Sequence, residues 1–98
     1  MSRKVVLSKS ASKNLDILLE YLELEWSKKV KDTFIKKLDK AVNVLKVNPE
    51  SSPKSEIIKD LYKCVVTKQT TMFYKFDSKR LYIAKIFDTR QSPEKLKN

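Results

Sequence analysis

Residues 8–48 carry two apolar stripes of helical period that follow one another with no linker between them. In the first, Ala11, Leu15, Leu18, Leu19, Leu22 and Trp26 recur at i, i+3, i+4 spacing, with Asp16, Glu20 and Glu23 opposite. Ser8 or Ser10 is placed to cap its start. In the second, Val30, Phe34, Leu38, Ala41, Val42 and Leu45 turn inward and lysines turn outward, with Ser27 as the cap. Asn48-Pro49 ends the run, because a residue before proline is pushed out of helical geometry. Two helices that abut at Trp26-Ser27 have no spare chain with which to separate. The expectation is a tight antiparallel hairpin, with Trp26 packed in its corner.

The hairpin needs an apolar surface to lie on, and strand-like runs supply it. "KVVL" (4–7) precedes the helices. After the polar loop "ESSPKSE" (50–56) come Asp60 to Thr67, Thr70 to Phe76 and Arg80 to Phe87, rich in valine, tyrosine, phenylalanine and isoleucine. "TKQT" and "FDSKR" read as the turns between them, with Asp77 and Ser78 supplying the turn chemistry of a chain that has no glycine. "LYIAKIF" is apolar on both faces apart from Lys85, which places it centrally in the sheet. "SPEK" reads as a short closing turn, with Ser92 as cap and Pro93 at the first helical position. The expected fold is α+β, in the order β-α-α-β-β-β. The helical hairpin covers one face of a mainly antiparallel four-stranded sheet, and residues 1–98 form a single domain. The other sheet face is left small, wet, or available for binding.

Composition removes most enzyme classes. Without histidine there is no Ser-His-Asp or Cys-His arrangement and no ordinary zinc site; without glycine there is no phosphate-cradling loop or dinucleotide fingerprint. Neither a metal nor a cofactor is expected. Any acid or base must come from Lys, Arg, Tyr, Asp or Glu. No apolar run approaches the 18 or so residues of a membrane span, the N-terminus lacks a signal core, and the lone Cys64 suits a reducing compartment. A cytoplasmic protein with no membrane partner is expected.

The formal charge is +10, from 22 Lys+Arg against 12 Asp+Glu. Residues 1–27 are neutral, whereas 28–53 hold seven basic and three acidic groups and 54–98 hold eleven and five. Such an excess suits a polyanion or an acidic protein partner; a lysine-rich surface that is simply solvated is the plainer reading. "KIFDTRQSP" (85–93) is the most site-like stretch, because an apolar strand there ends in a knot of polar groups. Asp88 and Arg90, two apart on extended chain, share a face. They form either a local salt bridge or a clamp for phosphate or carboxylate. The knot is expected at the rim of the open sheet face, beside Lys63 and Lys85, with Gln91 next to it. Lys63 and Lys85 are also explained as long stems lying on the sheet with solvated ammoniums, and Lys68 as a solvated turn residue. Cys64 alternates with Lys63 and should be a small core residue rather than a nucleophile. The helix-two lysines 29, 36, 37 and 40 read as a solvated stripe.

The segments "SKSASKNLDILLEYLELEWS", "FIKKLDKAVNVLKVNP", "YKCVV", "MFYKFD" and "LYIAKIFDTRQSPEKL", in this order and spacing, resemble the RelE/ParE superfamily of toxins from bacterial type II toxin–antitoxin systems. The resemblance covers almost the whole chain. It implies a small basic toxin neutralised by a cognate acidic antitoxin. RelE-like members cut mRNA on the ribosome; ParE-like members poison DNA gyrase without catalytic residues of their own. In the RelE-like set, Lys63 falls at the first strand-two lysine and Arg90 at the arginine closing the last strand. The second strand-two lysine is replaced by Val65, the strand-three arginine by Thr71 or Met72, and the C-terminal tyrosine by Glu94, Lys95 or Leu96. The resemblance therefore implies a ParE-like toxin directed at gyrase, with Lys63, Lys85, Asp88, Arg90 and Gln91 as target- or antitoxin-binding residues. The alternatives are a ribosome-dependent mRNA endonuclease using Lys63, Lys68 and Arg90, or a non-toxic antitoxin-binding co-repressor.

Overall fold

A computed structural model of the chain describes residues 3–90. The elements run β1 (Lys4–Leu7), α1 (Lys9–Glu25), α2 (Lys28–Val47), a 3-10 turn (Pro49–Ser51), β2 (Tyr62–Val65), β3 (Thr70–Phe76) and β4 (Arg80–Asp88). The sheet order is β1-β4-β3-β2, with β1 parallel to β4 and the other pairs antiparallel. The expected α+β architecture, four strands with a helical hairpin on one face, is the one observed, and β4 is an inner strand, as expected.

Each helix starts on a serine cap. Ser8 Oγ accepts the Ala11 N–H at 2.9 Å, and Ser27 Oγ accepts that of Val30 at 3.1 Å, so each hydroxyl satisfies an N–H that the first helical turn leaves without a partner. The helices pack Ala11, Leu18, Leu22, Phe34 and Leu45 onto Met72, Tyr74, Leu81, Ile83 and Ile86 of the sheet; Leu15, Leu19, Val30, Leu38 and Val42 lie partly buried around them. Tyr74 is fully buried, and its hydroxyl donates to the Pro49 carbonyl at 2.6 Å, tying the end of α2 to the middle of the sheet.

Trp26 departs from expectation. It is 57% exposed, not packed in the corner. The periodicity that links it to Leu22 stops one residue short: Trp26 is the C-cap of α1, and its φ of −119° and ψ of −89° take it out of the helix. The i+4 rule holds only while the backbone stays helical, so the ring swings off the inner stripe.

The turns behave as their side chains predict. Asp77 Oδ1 accepts the N–H groups of Lys79 and Arg80, both at 2.8 Å, and Thr67 Oγ1 accepts those of Gln69 and Thr70. β2 is shorter than the expected Asp60 to Thr67. Asp60 has φ 67°, in the left-handed region, and Val66 and Thr67 already belong to the next turn. Ahead of β2, the loop pairs back on the strand through Ser55 N–H to Leu61 O and Lys63 N–H to Pro53 O.

One irregularity in β4 sets the side of the sheet on which its polar end emerges. Phe73 pairs with Lys85 but Tyr74 pairs with Ile83, so Ala84 is an extra residue in the strand. The bulge is fastened to the start of α1. Ser8 Oγ donates to the Ala84 carbonyl at 2.7 Å, Ser8 N–H to that of Ile83, and Ile86 N–H to Asn14 Oδ1. Before it, Leu81 and Ile83 point to the helices; after it, Ile86 and Asp88 do. "LYIAKIF" is apolar on both faces because the inward face changes parity halfway along it.

Candidate functional site

Because of the bulge, the polar end of β4 lies on the helix side of the sheet. Asp88 is 1% exposed and pairs in register with Thr70, which shares the inner face with Met72 and Tyr74. The Thr70 hydroxyl donates to Asp88 Oδ2. Arg90 closes around the same carboxylate: its backbone N–H and Nε donate to Oδ1 at 2.8 and 2.9 Å, and Nη2 to Oδ2 at 2.7 Å. The Arg90 guanidinium carbon lies 5.9 Å from the centre of the Trp26 ring. Burial pushes the Asp88 carboxyl up, but the Arg90 guanidinium, the Thr70 hydroxyl and the Arg90 amide together outweigh it and hold the group below its ordinary value. The hydrogen bonds to Asp88 hold Arg90 above its own, against the opposing effect of burial.

The expectation that Asp88 and Arg90 sit beside Lys63 and Lys85 is therefore corrected. Lys63 pairs with Phe73, and Phe73 with Lys85, giving one row across the open face. Tyr62, Cys64, Met72 and Tyr74, the neighbours of Lys63 and Phe73 along β2 and β3, pack with the core on the other side. The two lysines flank Phe73, itself only 2% exposed, while Arg90 lies across the sheet among the helices. Strict alternation counted from Leu81 would put Lys85 inward and Asp88 outward. The inserted Ala84 reverses both. The local salt bridge between Asp88 and Arg90 is present. Lys68 is exposed in the β2–β3 turn. Gln91, together with the expected "SPEK" turn and the positions of Glu94, Lys95 and Leu96, lies outside the described residues.

Cys64 packs against the core from β2, as its alternation with Lys63 indicated. Burial pushes its thiol above the ordinary value, against a hydrogen bond with Ser52 that pulls the other way, so it is not the thiolate a nucleophile requires. Among the described residues, no three His, Cys, Asp or Glu side chains gather as a metal site.

Sequence reading missed two features. Thr70 is the second partner of Asp88; its signal is only that a threonine faces an aspartate across the strand pair. The other is a cavity of about 250 Å³ where α2 meets the β2–β3 turn, lined by Lys29, Thr33, Lys37, Thr67, Gln69 and Arg90 over a floor of Val30 and Phe34. It brings two lysines of the supposedly plain helix stripe to the arginine. A spacing of four residues from Lys29 to Thr33 and again to Lys37 marks one helical face, but nothing local says that Arg90 lies across from it.

The sequence pattern of the family described as ParE toxin of type II toxin-antitoxin system, parDE, matches residues 5–93. No functionally curated protein shows significant sequence similarity to the chain. Among solved structures, the chain is similar to the chromosomal ParDE TA system from P. aeruginosa, with TM-score 0.72 at 12% identity over 89% of this chain and 96% of that one. It is similar to the YoeB/ParE toxin from Agrobacterium tumefaciens, with TM-score 0.63 at 12% identity over 87% and 96%. For the E. coli DinJ-YafQ toxin-antitoxin complex the values are 0.61 and 15%, over 92% and 96%.

Proposed function

The chain belongs to the ParE toxin family of type II toxin–antitoxin systems, and from that membership we propose a toxin that acts by binding rather than by cutting RNA. Its target is DNA gyrase, its place of action the cytoplasm, and its neutraliser a cognate acidic antitoxin. The observation that supports non-enzymatic action is the clasp of Arg90 on Asp88. Metal-free cleavage of RNA needs a base for the 2′-hydroxyl, cations on the phosphorane and an acid for the leaving oxygen, all converging on one phosphate. Here Lys63 and Arg90 lie on opposite faces of the sheet, and both oxygens of Asp88 already engage the guanidinium. Phe73 occupies the register position between Lys63 and Lys85.

The antitoxin reading is supported by the relatives, since DinJ-YafQ is a toxin–antitoxin complex, and by the charge of +10, which an acidic segment would offset. Among the described residues no helix is long and apolar enough to cross a membrane.

Induced expression, with transcript ends mapped and purified protein added to a gyrase supercoiling assay, tests the proposal. Loss of supercoiling with intact transcripts is the expected result. Transcripts cut within codons on ribosomes would establish the endonuclease alternative, with Lys63 and Lys68 as its first candidates. Unimpaired growth with tight antitoxin binding would establish the co-repressor.

A further inference from the structure

We propose that the cavity between α2 and the β2–β3 turn is a phosphate site, taking one phosphate of a nucleotide or of a polynucleotide strand. This goes beyond the gyrase reading and lies across the sheet from the open face.

The wall on α2 is Lys29, Thr33 and Lys37, four residues apart and so on one stripe, with the backbones of Lys29 and Lys37 about 12 Å apart along the axis at 1.5 Å per residue, a gap that their long stems can close from either side of Thr33. Facing them are Gln69 and Arg90. Among the described residues, no carboxylate lines the cavity. Asp88, the carboxylate bound to Arg90, has both oxygens engaged by Arg90 and Thr70 and cancels the guanidinium charge. Lys29 and Lys37 form no ion pair among the described residues, so the site keeps a surplus of two positive charges. That matches a phosphate dianion, or two successive phosphodiesters.

The spread of donors around the cavity favours a phosphate, with its several oxygens, over a single peptide carboxylate. A carboxylate is held best by a two-pronged edge of an arginine, and here Asp88 already occupies the Nε–Nη2 edge of Arg90. What remains are donors from separate directions: two ammoniums, which act as point charges, the Gln69 amide, and the outer edge of Arg90. A tetrahedral oxyanion can use all of these at once. Arg90 is fixed by three bonds to Asp88 and by Trp26, so little side-chain freedom is lost when it takes a ligand. At about 250 Å³ the cavity is below the ~300 Å³ at which drug-sized sites begin, which suits a phosphate rather than a bulky ligand. Two features extend it. Trp26, 57% exposed beside Arg90, offers a ring on which a base can stack. Beyond Lys37, a second hollow of about 300 Å³ adds Lys40, Ser51 and Ser52, along which a strand could continue.

Trp26 is the only tryptophan, so its emission reports on the site. The full chain is titrated separately with inorganic phosphate, adenosine 5′-phosphate, a single-stranded oligothymidylate and poly-glutamate. Saturable change with phosphate is expected, tighter with whichever of the two nucleotide probes is the natural source. The Lys29→Gln/Lys37→Gln double variant should bind at least about tenfold more weakly and with a shallower salt slope. Lys75→Gln, on the open sheet face, should bind as the parent does. Circular dichroism checks that all variants keep the fold. The proposal is overturned if none of the three phosphate probes saturates, if poly-glutamate binds tighter than all of them, or if the double variant binds as tightly as the parent.

Discussion

Asp88 is an ionised side chain taken almost wholly out of water, and it is tolerated because four donors meet its two oxygens. Asp88→Asn keeps the shape but removes the charge that holds Arg90. Since breaking a buried pair costs more than the pair itself contributes, a loss of about 3–5 kcal/mol is expected in denaturant unfolding. The pH dependence comes from the same contacts. The folded-state pKa is depressed, so the contribution is fully present above the unfolded carboxyl value near 4 and is lost as pH falls through the lower folded value. The gap between parent and Asp88→Asn stabilities should therefore be constant above about pH 4 and close as pH falls below it; a gap that stays constant below about pH 4 would count against the clasp. Cys64 gives a second prediction at this scale. With its thiol half-buried and its ionisation suppressed, alkylation at neutral pH should be slow in the native protein and quick in denaturant, as mass spectrometry can follow.

At the scale of elements, the joint between α1 and β4 carries the most consequence. Ser8 caps the helix and, through the same oxygen, donates to the carbonyl of the bulged residue Ala84. Ser27, by contrast, contributes a cap hydrogen bond alone. Ser8→Ala should cost about 2 kcal/mol, a cap plus a partly buried hydrogen bond, while Ser27→Ala should cost about 1 kcal/mol. For a domain of this size that corresponds to a fall in Tm of roughly 8–16 °C against 4–8 °C. Calorimetry on the two variants decides the matter, and equal losses would mean that the bond to Ala84 adds nothing.

For the whole molecule, the question is how a charge of +10 is distributed between fold and function. Arg90 is only 17% exposed and clasped, whereas Lys36 is on the outer surface of α2. Arg90→Ala strips a buried carboxylate of its partner. It should lower stability first, and antitoxin affinity and growth arrest along with it, with Arg90→Lys restoring part of the loss because the planar fork is gone. Lys36→Ala should leave stability and affinity nearly unchanged and alter only the salt dependence of antitoxin association. Unfolding curves and binding measured on the three variants test this; a fully stable Arg90→Ala protein would remove the structural role assigned to the clasp.

The element order, the Ser27 cap, a first cap at Ser8 or Ser10 and the abrupt hairpin were legible in the chain, because each depends on residues within a turn or two of one another. Ser27 caps Val30, and Asp77 closes its turn on Lys79 and Arg80, whatever the rest of the molecule does. The exposure of Trp26 and the face taken by Asp88 and Arg90 were not legible. The parity of β4 after Ala84 depends on Ser8 and Asn14, which are 76 and 72 residues from the groups they hold. One inserted residue reverses the side of everything after it. Local pattern could say that Asp88 and Arg90 belong together; only packing against α1 could set them on the helix side, apart from Lys63 and Lys85 and within reach of Lys29 and Lys37.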